Sequence, residues 1–452
     1  MNSFTTTLKS LLITVLLATW SNSSTAADNL LDPSFGTDGI ASLSVGARAS
    51  NGRKIVVQGD GKIVQVGDSR DGPFGSPSVV TLVRFNADGT LDTDFGDQGV
   101  ARTNFGADSS DRGFAVGLQD DGQIVAAGAA FFGPRLDAGL VRYDATGELD
   151  ASFGDEGKVV INLGGNQYIT DLAFQSDGKI IAVGRTMDED FLVMRFTTAG
   201  QLDTDFGSNG IVTGSFDANA EQEAFSVAVL DDDSMIVAGG GIRPGFGDGS
   251  TTSLLKLTAD GSLDTSFNGT GKVAITIEGQ SWARSVVVDS DGRFLVGGFS
   301  GPDYFGDVAF LVLRFAADGS LDPAFGDNGQ VITEFPEPYS RSISIYTVAL
   351  QDDGRIVAAG AGQNVPDNQN DLLLVRYQED GSLDTSLDGA DGRVAITLDS
   401  NITVSSVTTQ SIEGKERILV GGGLVGATTS FAVFRFTEPA VIFRDRFEQA
   451  AD

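Results

Sequence analysis

No cysteine and no histidine occurs anywhere in the sequence. The first absence excludes disulfides and zinc–thiolate sites. The second excludes haem ligation by His and every Ser–His or Cys–His nucleophile system. Secreted proteins often lean on disulfides, so an exported chain of 452 residues without them has to rely on its core. Positive charge is scarce too: 30 Lys and Arg stand against 62 Asp and Glu, a formal charge of −32. Such a field repels nucleic acid and anionic membrane surfaces, and the expectation is no nucleic-acid partner. Tryptophan is rare, with two residues. Beyond residue 27 no helical period appears and no stretch is apolar enough to span a bilayer.

Glycine, by contrast, is abundant at 59 residues, alongside many Val, Ile and Phe. That mixture leans toward β structure. The N-terminus reads as a signal peptide over residues 1–27. Lys9 is its positive charge, "LLITVLLATW" (Leu11–Trp20) its apolar stretch, and Thr25 and Ala27 its small cleavage-site residues. A secreted, periplasmic or cell-surface location follows as the expectation.

The motif "LDTDFGDQG" (Leu91–Gly99) returns almost unchanged at Leu202, with relatives at Leu31, Leu149, Leu263, Leu321 and Leu383. The spacings are 60, 58, 53, 61, 58 and 62 residues, a period that signals an array, propeller or solenoid. Within the unit from Leu91, a short strand follows Gly99. "GFAVGLQ" (Gly113–Gln119) is a second, "QIVAAG" (Gln123–Gly128) a third and "AGLVRYDATG" (Ala138–Gly147) a fourth with its turn. Gly/Asp turns separate them. In order A ("GFAVGLQ"), B ("QIVAAG"), C ("GLVRY") and D (after "FGxxG"), these make one four-stranded antiparallel sheet.

Seven such sheets hide their faces by packing around an axis. The predicted fold is all-β: a seven-bladed β-propeller over residues 28–438, followed by a tail, 439–452. The sequence begins its repeats with a lone D strand and ends them with a lone C strand. Pairing residues 39–45 with 431–436 therefore closes the ring and removes two free edges. Strand B ends in Gly in every unit (Gly67, Gly128, Gly184, Gly239, Gly298, Gly360 and, one residue late, Gly421), which implies close backbone approach where sheets stack.

The ordered combination of "LDTSF", "QDDGRIVAAG" and "LLVRYQEDGSLD" resembles the bacterial delta-60 repeat family, β-propeller repeats of exported proteins. The resemblance spans nearly the whole chain beyond residue 27 and implies a fold and a location, with no family-wide activity. The seventh copy departs most, with Leu387 where the others carry Phe.

Residues that every blade repeats are read as scaffold. These are the strand-C cation (Arg84, Arg142, Arg195, Lys256, Arg314, Arg376, Arg435), the Asp of the opening motif (Asp32, Asp92, Asp150, Asp203, Asp264, Asp322, Asp384) and its Phe. Cation and carboxylate are expected to pair and orient the turn. Function is sought instead where the repeat breaks, in the B–C and D–A loops on one face. Arg135, Arg243, Trp282, Tyr304 and Phe305 are the candidate recognition contacts, with Phe132 and Phe246 as apolar anchors. No cofactor is predicted. Calcium is the one ion considered, with Asp231 and Asp233 in "DDDS" and Asp367 and Asp371 in "PDNQND" as its candidate ligands, although no EF-hand series is present. The expected function is a monomeric exported scaffold that binds a macromolecule or surface glycan. The alternatives are a hydrolase or lyase using channel carboxylates or a bound metal, and a structural envelope protein.

Overall fold

The computed structural model describes residues 30–46, 49–73, 75–107, 109–186, 190–216, 221–242, 250–277, 279–302, 308–336, 338–339, 341–366, 368–388, 390–426 and 428–437. The segment predicted as a signal peptide, 1–27, and the predicted tail, 439–452, lie outside them. So do Arg243, Phe246, Tyr304, Phe305 and Asp367.

The chain forms seven four-stranded antiparallel sheets. After β1 (Ile40–Leu43), blade I is β2 (Ala49–Val57), β3 (Ile63–Arg70), β4 (Val79–Phe85) and β5 (Val100–Thr103). Blade II is β6 (Ser110–Leu118), β7 (Ile124–Phe132), β8 (Arg135–Tyr143) and β9 (Lys158–Ile161). Blade III is β10 (Gln167–Phe174), β11 (Ile180–Thr186), β12 (Phe191–Phe196) and β13 (Ile211–Gly214). Blade IV is β14 (Glu221–Val229), β15 (Met235–Ile242), β16 (Ser250–Leu257) and β17 (Lys272–Ile275). Blade V is β18 (Gln280–Val288), β19 (Phe294–Gly301), β20 (Ala309–Phe315) and β21 (Gln330–Thr333). Blade VI is β22 (Arg341–Leu350), β23 (Ile356–Asn364), β24 (Gln369–Tyr377) and β25 (Arg393–Ile396). Blade VII is β26 (Asn401–Ile412), β27 (Lys415–Val425) and β28 (Thr429–Phe436), completed by β1.

That last pairing runs from Ile40 opposite Phe434 to Leu43 opposite Phe431. The N-terminal strand closes the ring as expected, in four residues where seven were expected. The first strands of neighbouring blades pack on one another in a closed cycle, from β2 through β6, β10, β14, β18, β22 and β26 back to β2. These strands therefore surround the axis. Seven apolar clusters fill the seven gaps between blades.

The repeated motif is the clamp between blades. In every unit the strand-C cation pairs with the motif Asp, as in Arg84–Asp92 at 2.6 Å and Arg376–Asp384 at 2.7 Å. The carboxylate divides its work. Oδ1 of Asp150 accepts from the backbone and hydroxyl of Ser152, and Oδ2 accepts from Arg142. The same guanidinium donates across the gap, Arg84 to the Ala145 carbonyl at 2.6 Å and Arg142 to that of Thr198 at 2.5 Å. It also lies over the motif Phe, 4.4 Å from the ring of Phe95 and 4.6 Å from that of Phe153. Phe35, Phe95, Phe153, Phe206, Phe267 and Phe325 are wholly buried. Each rests against the turn glycine of the next blade, Phe35 on Gly89 and Phe95 on Gly147. At the seam between β28 and β1 that turn is missing, and Leu30 is buried in the same cluster as Leu387. This accounts for the leucine of the seventh copy.

Two expectations are corrected. The strand-B glycines approach a backbone within their own blade, not one in a stacked sheet. A Cβ on Gly298 would sit 1.7 Å from the Trp282 carbonyl oxygen, and one on Gly67 1.8 Å from that of Asn51. The cause is a β-bulge in the first strand, directly after the residue facing the glycine, as between Ala283 and Ser285. In blade VII the residue facing Val404 at that bulge is Gly422, not Gly421.

Candidate functional site

Strand direction divides the molecule into two faces. Each first strand starts on the face that carries the D–A and B–C connections and ends in a hairpin on the other. Outside blade VII, which turns through Glu413 and Gly414, those hairpins are uniform. Their i+3 residue takes a positive φ, supplied by glycines such as Gly61 and Gly122 and in blade IV by Asp233 at 62°. Asp233 also accepts from the backbone and hydroxyl of Ser176 in blade III, so its carboxylate serves a blade contact. Asp231 is exposed. Asp371 is fully buried and accepts from the hydroxyls of Tyr339 and Thr397 and the amide of Asn364. Among the described residues no group of three or more acidic side chains is placed to hold a metal ion.

Arg135 is exposed and pairs with Asp137 at 2.9 Å while lying 5.3 Å over the ring of Phe132. These two flank the β7–β8 turn. Trp282 was read as a loop residue, but it is the third residue of β18 on the innermost strand of blade V. The structure therefore does not bring it together with Arg135, whose turn is in blade II.

What it does bring together is a belt around the axial mouth on the variable face. The residue before each bulge pair is Asn51, Arg112, Tyr168, Glu223, Trp282 or Thr403. The bulge residue itself is Arg53, Phe114, Thr170, Phe225, Arg284 or Ser405. Arg112 and Thr403 are exposed and the rest are half-buried. Contacts link them from blade to blade. Arg53 lies 4.8 Å over Phe114, and Phe114 is 6.1 Å from Tyr168. The Tyr168 hydroxyl donates to Glu223 at 2.8 Å. Phe225 stacks on Trp282 at 5.7 Å, and Arg284 covers both, at 4.1 and 4.8 Å. Arg112 lies 5.1 Å over Phe131.

Burial pushes the Glu223 carboxyl above its ordinary value, against the opposing effects of Tyr168, Arg284 and Arg185. Burial, with Glu223 beside it, also raises the Tyr168 hydroxyl. The Trp282 indole N–H is buried without an acceptor. Deeper in, Lys54, the second unpaired residue of the blade I bulge, reaches past blade II to pair with Asp171 of blade III.

Of this belt the sequence reading named Trp282 alone, because it placed function in loops. The signal was available: these are strand positions where the seven repeats disagree in chemistry. A groove of about 590 Å³ lies on the outer rim beside Leu43, Leu91, Tyr143 and Leu149. It is built from the repeated motif and so lacks that individuality.

The sequence pattern of the β-propeller domain of unknown function DUF5122 matches residues 58–95, 119–153, 175–206, 231–267, 290–325 and 351–387. The chain is thus a protein of propeller repeats, similar to that family in six segments, each running from a hairpin to the next motif Phe or its Leu387 counterpart. No curated protein matches it. Among solved structures, a PL25 polysaccharide lyase, an ulvan lyase, is 13% identical over 86% of this chain and 97% of its own, with a TM-score of 0.45. Sqt1 from Chaetomium thermophilum is 14% identical over 89% and 98%, also at 0.45. The β-propeller domain of the Trilobed protease from Pyrococcus furiosus is 11% identical over 89% and 99%, at 0.42.

Proposed function

We propose that this is an exported delta-60-type propeller that acts as a binding scaffold, with its ligand site at the axial mouth of the variable face. The observation that supports the reading is the belt from Arg53 to Arg284. Blade after blade repeats its clamp, yet at this depth the equivalent positions of six blades carry Arg, aromatic, Glu, Asn and hydroxyl side chains. A fold needs no such variety. Stacked aromatics with guanidiniums above them are the side chains that anchor interfaces. The partner is a macromolecule or surface glycan presented outside the cell.

The test is a glycan and protein binding screen on the parent and on Phe225→Ala/Trp282→Ala. Loss of about tenfold or more in affinity at unchanged fold supports the mouth. A ligand bound equally by both proteins overturns it. A second reading, a hydrolase or lyase, draws on the Tyr168–Glu223 hydrogen bond, since a carboxylate that accepts from a hydroxyl is placed for proton transfer. Glu223→Gln separates the two, because it leaves a binding site in place and removes a base.

A further inference from the structure

We infer that the ligand of the axial mouth is a carboxylated sugar residue, carried at or near the end of a short oligosaccharide. The inference rests on the binding reading above and adds the ligand's chemistry.

The charge is the first argument. The chain has 30 cationic side chains against 62 acids. Four of the cations, Arg53, Arg112, Arg185 and Arg284, stand on the inner two strands of blades I, II, III and V near this mouth. Arg185 faces Tyr168 in the strand register and acts electrostatically on Glu223 together with Arg284. The carboxylates on these inner strands are already engaged: Asp68 lies 2.5 Å from Arg53, Asp171 pairs with Lys54, Glu223 accepts from Tyr168, and the buried Asp111 accepts from Ser109 and the Phe105 backbone. Arg112 is exposed, lies on the Phe131 ring and forms no ion pair among the described residues. A guanidinium laid on a ring keeps its N–H edge for an oxygen pair, the geometry that a carboxylate fills.

The remaining groups fit a sugar. Asn51 and Thr170 spend their donors on Asp68 and on the Val183 and Ala224 carbonyls and keep their oxygens as acceptors, Thr403 and Ser405 add hydroxyls, and Trp282 has an indole N–H without an acceptor. Phe114, Phe225 and Trp282 give flat apolar faces for the C–H side of a pyranose. The wider charge sets the length. A long polyanion lying across the molecule meets a net −32, whereas one or two carboxylates at the mouth meet the arginines.

The test uses the position of Trp282. The sequence holds two tryptophans, Trp20 and Trp282. In a full-length Trp20→Phe chain, tryptophan-selective excitation therefore reports the mouth directly. Trigalacturonate, its methyl ester and long polygalacturonate are titrated against this chain and its Arg112→Gln derivative. Expected is a saturable signal with trigalacturonate that weakens about tenfold on esterification and about tenfold in Arg112→Gln, and that falls with salt. Polygalacturonate is expected to bind more weakly per chain end. The melting temperature of Arg112→Gln should match that of its parent.

Equal affinity for acid and ester overturns the carboxylate and leaves the mouth standing. No binding of either, with a screened ligand still lost on Phe225→Ala/Trp282→Ala, overturns the sugar alone. No binding of either, and no ligand sensitive to those substitutions, removes both readings.

Discussion

At the scale of single residues, the motif Asp explains why one short phrase recurs. Its two oxygens perform two jobs, closing a turn and holding a guanidinium, and that guanidinium bonds the next blade. Arg376 is wholly buried against Asp384. Arg376→Ala takes the closer cation from a buried carboxylate, leaving Arg355 at 3.4 Å, and is expected to cost about 3 kcal/mol, read by urea unfolding. Hydrogen bonds hold several of these carboxyls low. At Asp150 the Ser152 hydroxyl leads, and at Asp92 the Lys62 and Arg84 bonds outweigh burial. A depressed carboxyl contributes stability that is complete above its unfolded value of 3.8 and fades as pH falls through the lower folded one. Unfolding free energy should therefore decline below that pH. Glu223 carries the opposite sign. Its raised carboxyl opposes the fold once pH climbs past its unfolded 4.5. Glu223→Gln is expected to equal or exceed the parent in melting temperature near neutrality and to lose that advantage in acid. The clamp was readable from the sequence because it is periodic. Arg112 and Tyr168 were not, because each occurs once and nothing in the string says that five separate strands meet.

Among the strands, the bulge is the decisive irregularity. It turns the innermost strand over by one residue, so the period of two breaks in mid-strand. For that reason "GFAVGLQ" looked like the whole of a strand that in fact begins at Ser110. The same break hid the mouth, since it makes the start of a first strand, where Trp282 and Tyr168 stand, read as a D–A loop. The bulge also explains why strand B carries glycine: the carbonyl it turns inward occupies the place of a Cβ. Gly298→Ala is expected to cost about 2–4 kcal/mol in unfolding free energy, a value typical of forced backbone movement in a core. A hairpin glycine such as Gly61, with a φ of 83° and only side-chain atoms nearby, should cost about 1 kcal/mol on the same change. Equal costs at the two sites would contradict this account.

Across the whole molecule, the count of strands was enough to foresee closure. An unmatched D strand at one end of the repeats and an unmatched C strand at the other leave one economical solution. Removing residues up to Leu43 should expose the edge of β28, with lower melting temperature and concentration-dependent self-association visible by light scattering. The sheet order was legible from turns and spacing. The identities around the axis required the ring itself. Closure has one more consequence. β28 runs toward the hairpin face, and Thr437 donates to the Leu30 carbonyl at 2.8 Å. Both ends of the barrel-like ring thus depart side by side from the surface opposite the arginines. A short, rigid attachment built directly onto Leu30 or Thr437 would therefore leave the arginine-lined opening facing away from its support, like a cup fixed by its base.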